Sequence, residues 1–401
     1  MLNKKIARAF ASCMVLVLLL LNCTSCLTFQ FSGIGDGGLP PASSGCYLDG
    51  KKVEMKTPER ESWSYKNMSE EEKTVYSAAY TALSEGYNVF VLKNVDYQKI
   101  LEVYGSALTA VLYDYPEFFW LSGFVKANAE YQTGSTNGNV TLTLGIYDHW
   151  NDNNLPDARK AFNEKLDALL KDAKEVGDYY GRVKYVHDAI IDMTAYDQET
   201  YENGDAADKM LEAYSNSAYG PLVEGKALCG GYAKLFELVM HKLGYECEYI
   251  TGTADGGPHA WNFIKLDGEY YYMDVTWDDP DREDGMRLYN YFCVNDAMIE
   301  KTHTADPEYK SIQSSSTKYN YHVYESLYLT KYDYVSVENI VTANKSERVI
   351  SIRFANSKAK KEAVEDLIDN YKFYDILETM NKDTYSYINN DDLNILTFII
   401  D

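Results

Sequence analysis

Three features of the sequence predict an α+β protein. An apolar, helix-patterned stretch, "GKALCGGYAKLFELVMHKLGY" (Gly225–Tyr245), carries Cys229 at its entrance. Two β-rich runs in "HAWNFIKLDGEYYYMDVTWDDP" (His259–Pro280) are joined by Asp267-Gly268, a strong short hairpin signal. Smaller mixtures of helical and strand-like pattern flank this centre on both sides.

The chain has 401 residues, room for two or three domains. Its net charge of −23 disfavours phosphate backbones, so no nucleic-acid partner is expected. The 37 tyrosines suit wet interfaces and sugar contacts, or are simply a compositional habit. Lys4, Lys5 and Arg8 precede the apolar run Met14–Leu21. That run is shorter than the roughly 17–25 residues of a spanning helix and reads as a secretory signal. It ends in "NCTSC", which resembles a bacterial lipoprotein processing box, although Cys23 stands where Leu is usual. The expectation is a signal over residues 1–26, lipidation at Cys26, and a membrane-anchored protein facing outside, with plain secretion as the alternative. The Gly/Pro/Ser-rich stretch that follows reads as a flexible tether over 27–60, with Cys46 inside it.

A first α/β module is expected over 61–148. Ser69 and Glu72 form a capping box for a helix that Gly86 stops. A second helix covers about Tyr97–Leu112, "YPEFFWLSGF" is a buried strand or turn, and "NVTLTLGIY" alternates as a strand. The central domain is expected over 149–310, opening with two helices, the second through "YGRVKYVHDAIIDMTAYD". "TADGGP" before His259 reads as a loop and a candidate lid, and "QSSSTK" (Gln313–Lys318) as a linker. A small α/β module closes the chain over 319–401. Its expected strands lie near Tyr332–Ile340, Val349–Phe354 and in "LNILTFII", with a helix over about Ser357–Asn370.

The chemistry sits in the central domain. A two-residue turn at Asp267-Gly268 pairs Leu266 with Glu269, which sets Trp261 opposite Asp274 and His259 opposite Thr276. His259 and Asp274 are then diagonal neighbours on one face, with Cα atoms roughly 7–8 Å apart. A carboxylate there can orient one ring nitrogen of an imidazole and stabilise its cation. Cys229 lies at a helix N-terminus, where unpaired N–H groups and the helix dipole favour a thiolate and can hold an oxyanion. Gly230 and Gly231 would keep side chains clear of a substrate.

These three segments, with "YFCVNDAMIEKTH" after them, resemble the bacterial transglutaminase-like superfamily, whose core is a papain-like cysteine fold. The resemblance covers about Tyr180–His303 and implies Cys229 as nucleophile, His259 as base and acid, and Asp274 as the orienting carboxylate. It implies a papain-like transglutaminase core, flanked here by the two small α/β modules. No residue matches the family's side-chain oxyanion donor.

No cofactor and no metal is expected, because the ligand spacing that zinc needs is missing. Cys247 and Cys293 read as buried thiols, and His187 and His241 as structural or surface groups. Trp261 either walls a substrate slot or packs in the core. Trp277 packs at the strand end. Asp278, Asp279 and Asp281 read as a solvated acidic turn rather than a cation site. The expected reaction is thiol-dependent acyl transfer on protein or peptide carboxamides, more hydrolytic than amine-transferring. A non-catalytic surface binder is the competing class. The sequence carries no signal for the oligomeric state.

Overall fold

The computed structural model describes residues 44–151, 153–203, 213–280 and 285–401, together with the backbone of 28–34. The signal-type segment, with Cys13, Cys23 and Cys26, lies outside the described residues. The fold is α+β. The described residues fall into two compact units, one within Met1–Ala168 and Asp197–Leu238, the other within Leu169–Tyr196 and Val239–Asp401. The division runs through the segment 149–310 expected as one domain.

In the first unit a six-stranded sheet has the order β1-β5-β6-β4-β2-β3. Its strands are β1 (Thr28–Ile34), β2 (Gly45–Leu48), β3 (Lys51–Val53), β4 (Val89–Asp96), β5 (Leu121–Gln132) and β6 (Asn137–Ile146). Within the tether expected over 27–60, residues 28–34, 45–48 and 51–53 form strands instead. β1 pairs in parallel with β5, and β2 forms a hairpin with β3 and pairs with β4. Cys46 and Leu48 are buried, so alternating apolar side chains outweigh the small-residue composition around them. The helix Glu70–Ser84 starts at the expected capping box, with both Ser69–Glu72 bonds made. The helix Tyr97–Asp114 buries Ile100, Tyr104, Ala107, Leu108 and Val111, one apolar stripe at helical spacing.

The second unit holds two four-stranded sheets. The central one contains β7 (Cys247–Ala254), β8 (Gly257–Leu266), β9 (Glu269–Met273) and β10 (His303–Ala305), in the order β9-β8-β7-β10 and antiparallel throughout. Leu266 pairs with Glu269 as the Asp-Gly turn predicts. Asp267 and Gly268 have φ of 51° and 85°, the signature of a type I′ turn. The expected lid at "TADGGP" is a second tight turn of this kind. Ala254 pairs with Gly257 across Asp255 and Gly256, whose φ values are 47° and 79°.

The expected linker 313–318 is stitched to the sheet. Ser314 donates its N–H to Asp296 and its hydroxyl to the Tyr270 carbonyl, and Ser316 Oγ lies 2.7 Å from the Tyr271 hydroxyl. The C-terminal sheet contains β11 (Tyr328–Leu329), β12 (Val349–Phe354), β13 (Tyr385–Asn390) and β14 (Ile395–Ile400), in the order β11-β12-β14-β13. The strand expected near Tyr332–Ile340 is instead the helix Tyr334–Ala343. Asp333 caps it by accepting from the Ser336 N–H, and Val337 and Val341, one turn apart, enter the core beside Phe373, Ile376 and Phe398. β-branched residues in this segment mislead a propensity reading, because the cap and the spacing decide.

Candidate active site

In the first unit, Cys229 opens the helix Cys229–Lys242. The Leu228 carbonyl accepts from the N–H groups of Gly231 and Tyr232, which closes the first turn, and the Leu228 N–H donates to Ser215. Tyr232, Leu235, Phe236 and Leu238 bury the helix. Cys229 is only partly exposed. Gly231 has a packing role. A Cβ there would lie 2.5 Å from the Ser215 carbonyl oxygen and 2.9 Å from Ala227 Cβ. Lys234 donates to the Asn216 carbonyl at 3.0 Å. Burial pushes its ammonium down to about 8, while the charges of Glu237 and Cys229 draw it back up.

In the second unit, the β8–β9 ladder runs from Leu266–Glu269 to Asn262–Met273 and stops there. The chain then turns into a short helix, Val275–Asp278, which Asp274 caps through Oδ1 and the Trp277 N–H at 3.1 Å. That turn aims Oδ2 at His259, whose Nε2 lies 2.8 Å away. The bond engages Nε2 and leaves Nδ1 on the opposite side of the ring.

A third residue, which the sequence reading missed, completes this cluster. His303 Nε2 lies 3.0 Å from the same Asp274 Oδ2. Its Nδ1 lies 2.8 Å from Thr302 Oγ1, which is 3.1 Å from the Tyr291 hydroxyl. Asp274 is fully buried. Burial alone would raise its carboxyl, but the charge of His259 and the bonds from both imidazoles outweigh that and hold it well below the usual carboxylate range. Burial pushes His303 down, against the pull of Asp274.

Aromatic rings enclose the cluster. Trp261 stacks on His259 at 6.0 Å and meets His303 edge-on at 5.0 Å. At 1% exposure it is a packing residue rather than the wall of an open slot. Gly252 gives it room, since a Cβ there would overlap Trp261 Cη2 and the Thr304 carbonyl. Trp277 packs 5.5 Å from His259 and 4.6 Å from His303.

The turn after Asp274 differs from expectation. Asp278 is buried, not solvated, and Asp281 lies outside the described residues. Asp278 Oδ2 is 3.2 Å from His187 Nε2, whose Nδ1 is 2.9 Å from Asp188. Burial pushes the Asp278 carboxyl up to about 6, against the His187 bond. His187 is thus a buried structural partner that straps a helix to the site's edge. Cys46, Cys247 and Cys293 are buried, and burial raises the thiols of Cys46, to about 11, and Cys293.

His259, Asp274 and His303 also present ligand atoms within 4.8 Å of one another. Both imidazoles sit at hydrogen-bond distance from one oxygen, closer than the roughly 3.3 Å between ligand atoms on a tetrahedral zinc. As the three side chains stand, hydrogen bonds join them. Among the expected site residues, His259, Asp274 and Trp261 come together in the second unit. Cys229 belongs to the first unit, and Cys26 lies outside the described residues.

Residues 167–275 match the model of the transglutaminase-like superfamily, and Cys229, His259 and Asp274 all fall inside the match. By this match the segment is similar to a transglutaminase-like core. The kyphoscoliosis peptidase of Mus musculus is 28% identical over 166 residues, which cover 37% of this chain and 24% of that protein. The Homo sapiens kyphoscoliosis peptidase is 32% identical over 99 residues, covering 20% of this chain and 15% of that protein. The chain thus spans about a quarter or less of these relatives' length. A solved structure described as a TGase aligns over 39% of this chain and 52% of its own, at 14% identity and a TM-score of 0.28.

Proposed function

We propose that the chain is a cysteine-dependent acyl-transfer enzyme in which Cys229 is the nucleophile, His259 the acid and base, and Asp274 the orienting carboxylate. The observation that carries this reading is the buried His259–Asp274 hydrogen bond, made by a segment of transglutaminase-like core that also supplies a cysteine at a helix N-terminus. The Cys229 thiolate attacks the carbonyl carbon of a carboxamide in a protein or peptide. The backbone N–H of Cys229 receives the oxyanion. The C–N bond then breaks, and the His259 imidazolium gives its proton to the leaving amine. The resulting thioester passes to an acceptor whose proton returns to His259.

Water as acceptor makes the enzyme a peptidase or amidase, and a lysine amine makes it a cross-linker. The same thioester serves both, and hydrolysis is the favoured reading because a site on the outside of the cell meets water more often than a positioned amine. The basic, apolar and "NCTSC" sequence elements support export and anchoring through a lipidated Cys26. Incubation with casein and a fluorescent primary amine tests the reaction. Peptide fragments without label indicate hydrolysis, and covalent amine indicates transfer. Neither product, or products that survive Cys229→Ala, would refute the proposal.

A further inference from the structure

We propose that His303 is a positioning residue for this site: it shares the Asp274 carboxylate with His259 and so limits how tightly that carboxylate holds the His259 proton. The inference rests on the reading of His259 and Asp274 given above. Its basis is that two imidazoles approach one carboxylate oxygen, at 2.8 Å from His259 and 3.0 Å from His303. The other oxygen already accepts from the Trp277 N–H. Three donors thus converge on Asp274.

The Asp274 carboxylate can only accept, so it requires the His303 hydrogen on Nε2, and the neighbouring hydroxyls can run in the matching order. The Tyr291 hydroxyl can donate to Thr302 Oγ1, and the Thr302 hydroxyl then donates to His303 Nδ1. With Nδ1 an acceptor, Nε2 carries the hydrogen and donates to Asp274. The backbone holds this order in place. His303 pairs with Ala254 on the central sheet, and the Asp255 N–H donates to the Thr302 carbonyl at 2.9 Å. Trp261, Trp277 and Tyr291 pack around the ring at 5.0, 4.6 and 5.2 Å. The charged groups facing it are Asp274, His259 and Asp255, and Asp278 stands behind Asp274 and Tyr291. Burial keeps the ring neutral against the attraction of Asp274.

A neutral second donor does what a second cation would not. It spreads the carboxylate charge without competing for the proton, so Asp274 still orients His259 but binds its imidazolium less strongly. The imidazolium is then a better acid toward a leaving amine. A purely space-filling residue would need neither ring nitrogen engaged.

The test is a ¹⁵N-histidine NMR titration of the full chain carrying Cys229→Ala, with His259 assigned by His259→Gln. At neutral pH, His303 is expected to be neutral with its hydrogen on Nε2. His303→Leu is expected to raise the His259 pKa by about one unit. His303→Gln, whose amide can donate in the same place, is expected to keep it within about 0.3 units of the parent. An unmoved His259 in His303→Leu, or a His303 protonated on Nδ1 in the parent protein, overturns the proposal. Should His303→Leu fail to fold, the parent tautomer and the His303→Gln titration still decide. Acyl transfer surviving in Cys229→Ala would instead sink the enzymatic reading, whatever His303 does.

Discussion

His259 Nε2 lies 2.8 Å from Asp274 Oδ2, and the pair forms just beyond the point where the hairpin ladder ends at Asn262–Met273. The Asp267-Gly268 turn sets the register, and the Asp274 cap on Val275–Asp278 aims the carboxylate. Asp274→Asn keeps the Oδ1 cap but presents an amide or a lone carbonyl to His259. It is expected to lower the second-order rate of acyl transfer by about 10²–10⁴-fold, with native circular dichroism. Rates on a casein-derived peptide check this, and a loss below tenfold would remove Asp274 from the mechanism.

Gly231→Ala is expected to destabilise the first unit by about 1–3 kcal/mol, because the new methyl meets the Ser215 carbonyl at 2.5 Å. Urea denaturation reads this directly. An unchanged midpoint would mean that the 215–217 segment yields at no cost.

The C-terminal module is held by a dense aromatic centre in which Phe373 and Phe398 stack 3.9 Å apart. Phe398 is fully buried, so Phe398→Ala is expected to cost about 3–5 kcal/mol. The loss should appear as a lowered denaturation midpoint.

His322 gives a pH test. It is buried, with Nε2 3.0 Å from Ser351 Oγ, and burial together with the charge of Arg353 pushes its imidazole down to about 3. The unfolded value is about 6.5, so at pH values between the two the unfolded chain binds a proton that the folded chain refuses. The stability this neutral ring allows is complete above about pH 6.5 and is lost as pH falls toward 3. Between about pH 7.5 and 5 the parent protein should lose about 2 kcal/mol more than His322→Gln. Equal losses in paired denaturation curves would show that His322 does not titrate on unfolding.

Local signals made much of this architecture legible. The Ser69–Glu72 capping box and the Asp-Gly turn each depend on a few adjacent residues, and both form as read. What failed was decided by tertiary contacts. Residues 45–53 look like tether by composition, yet Cys46 and Leu48 enter a core supplied by distant strands. Tyr332–Ile340 alternates like a strand, but the Asp333 cap and the Val337–Val341 spacing make it a helix. His303 carries no periodic or turn signal. It reaches Asp274 on a three-residue strand, 29 positions along the chain, and only a knowledge of sheet order would have placed it there.

Whether His259 activates Cys229 is tested most directly by the pH dependence of Cys229 alkylation. Iodoacetamide modification followed by peptide mass spectrometry would give the Cys229 rate from about pH 4 to 10. The proposed mechanism predicts a rate that rises with an apparent pKa well below the ordinary thiol value of about 8.5, and that reverts toward it in His259→Ala. A wild-type profile that follows an ordinary thiol, unchanged by His259→Ala, would contradict it.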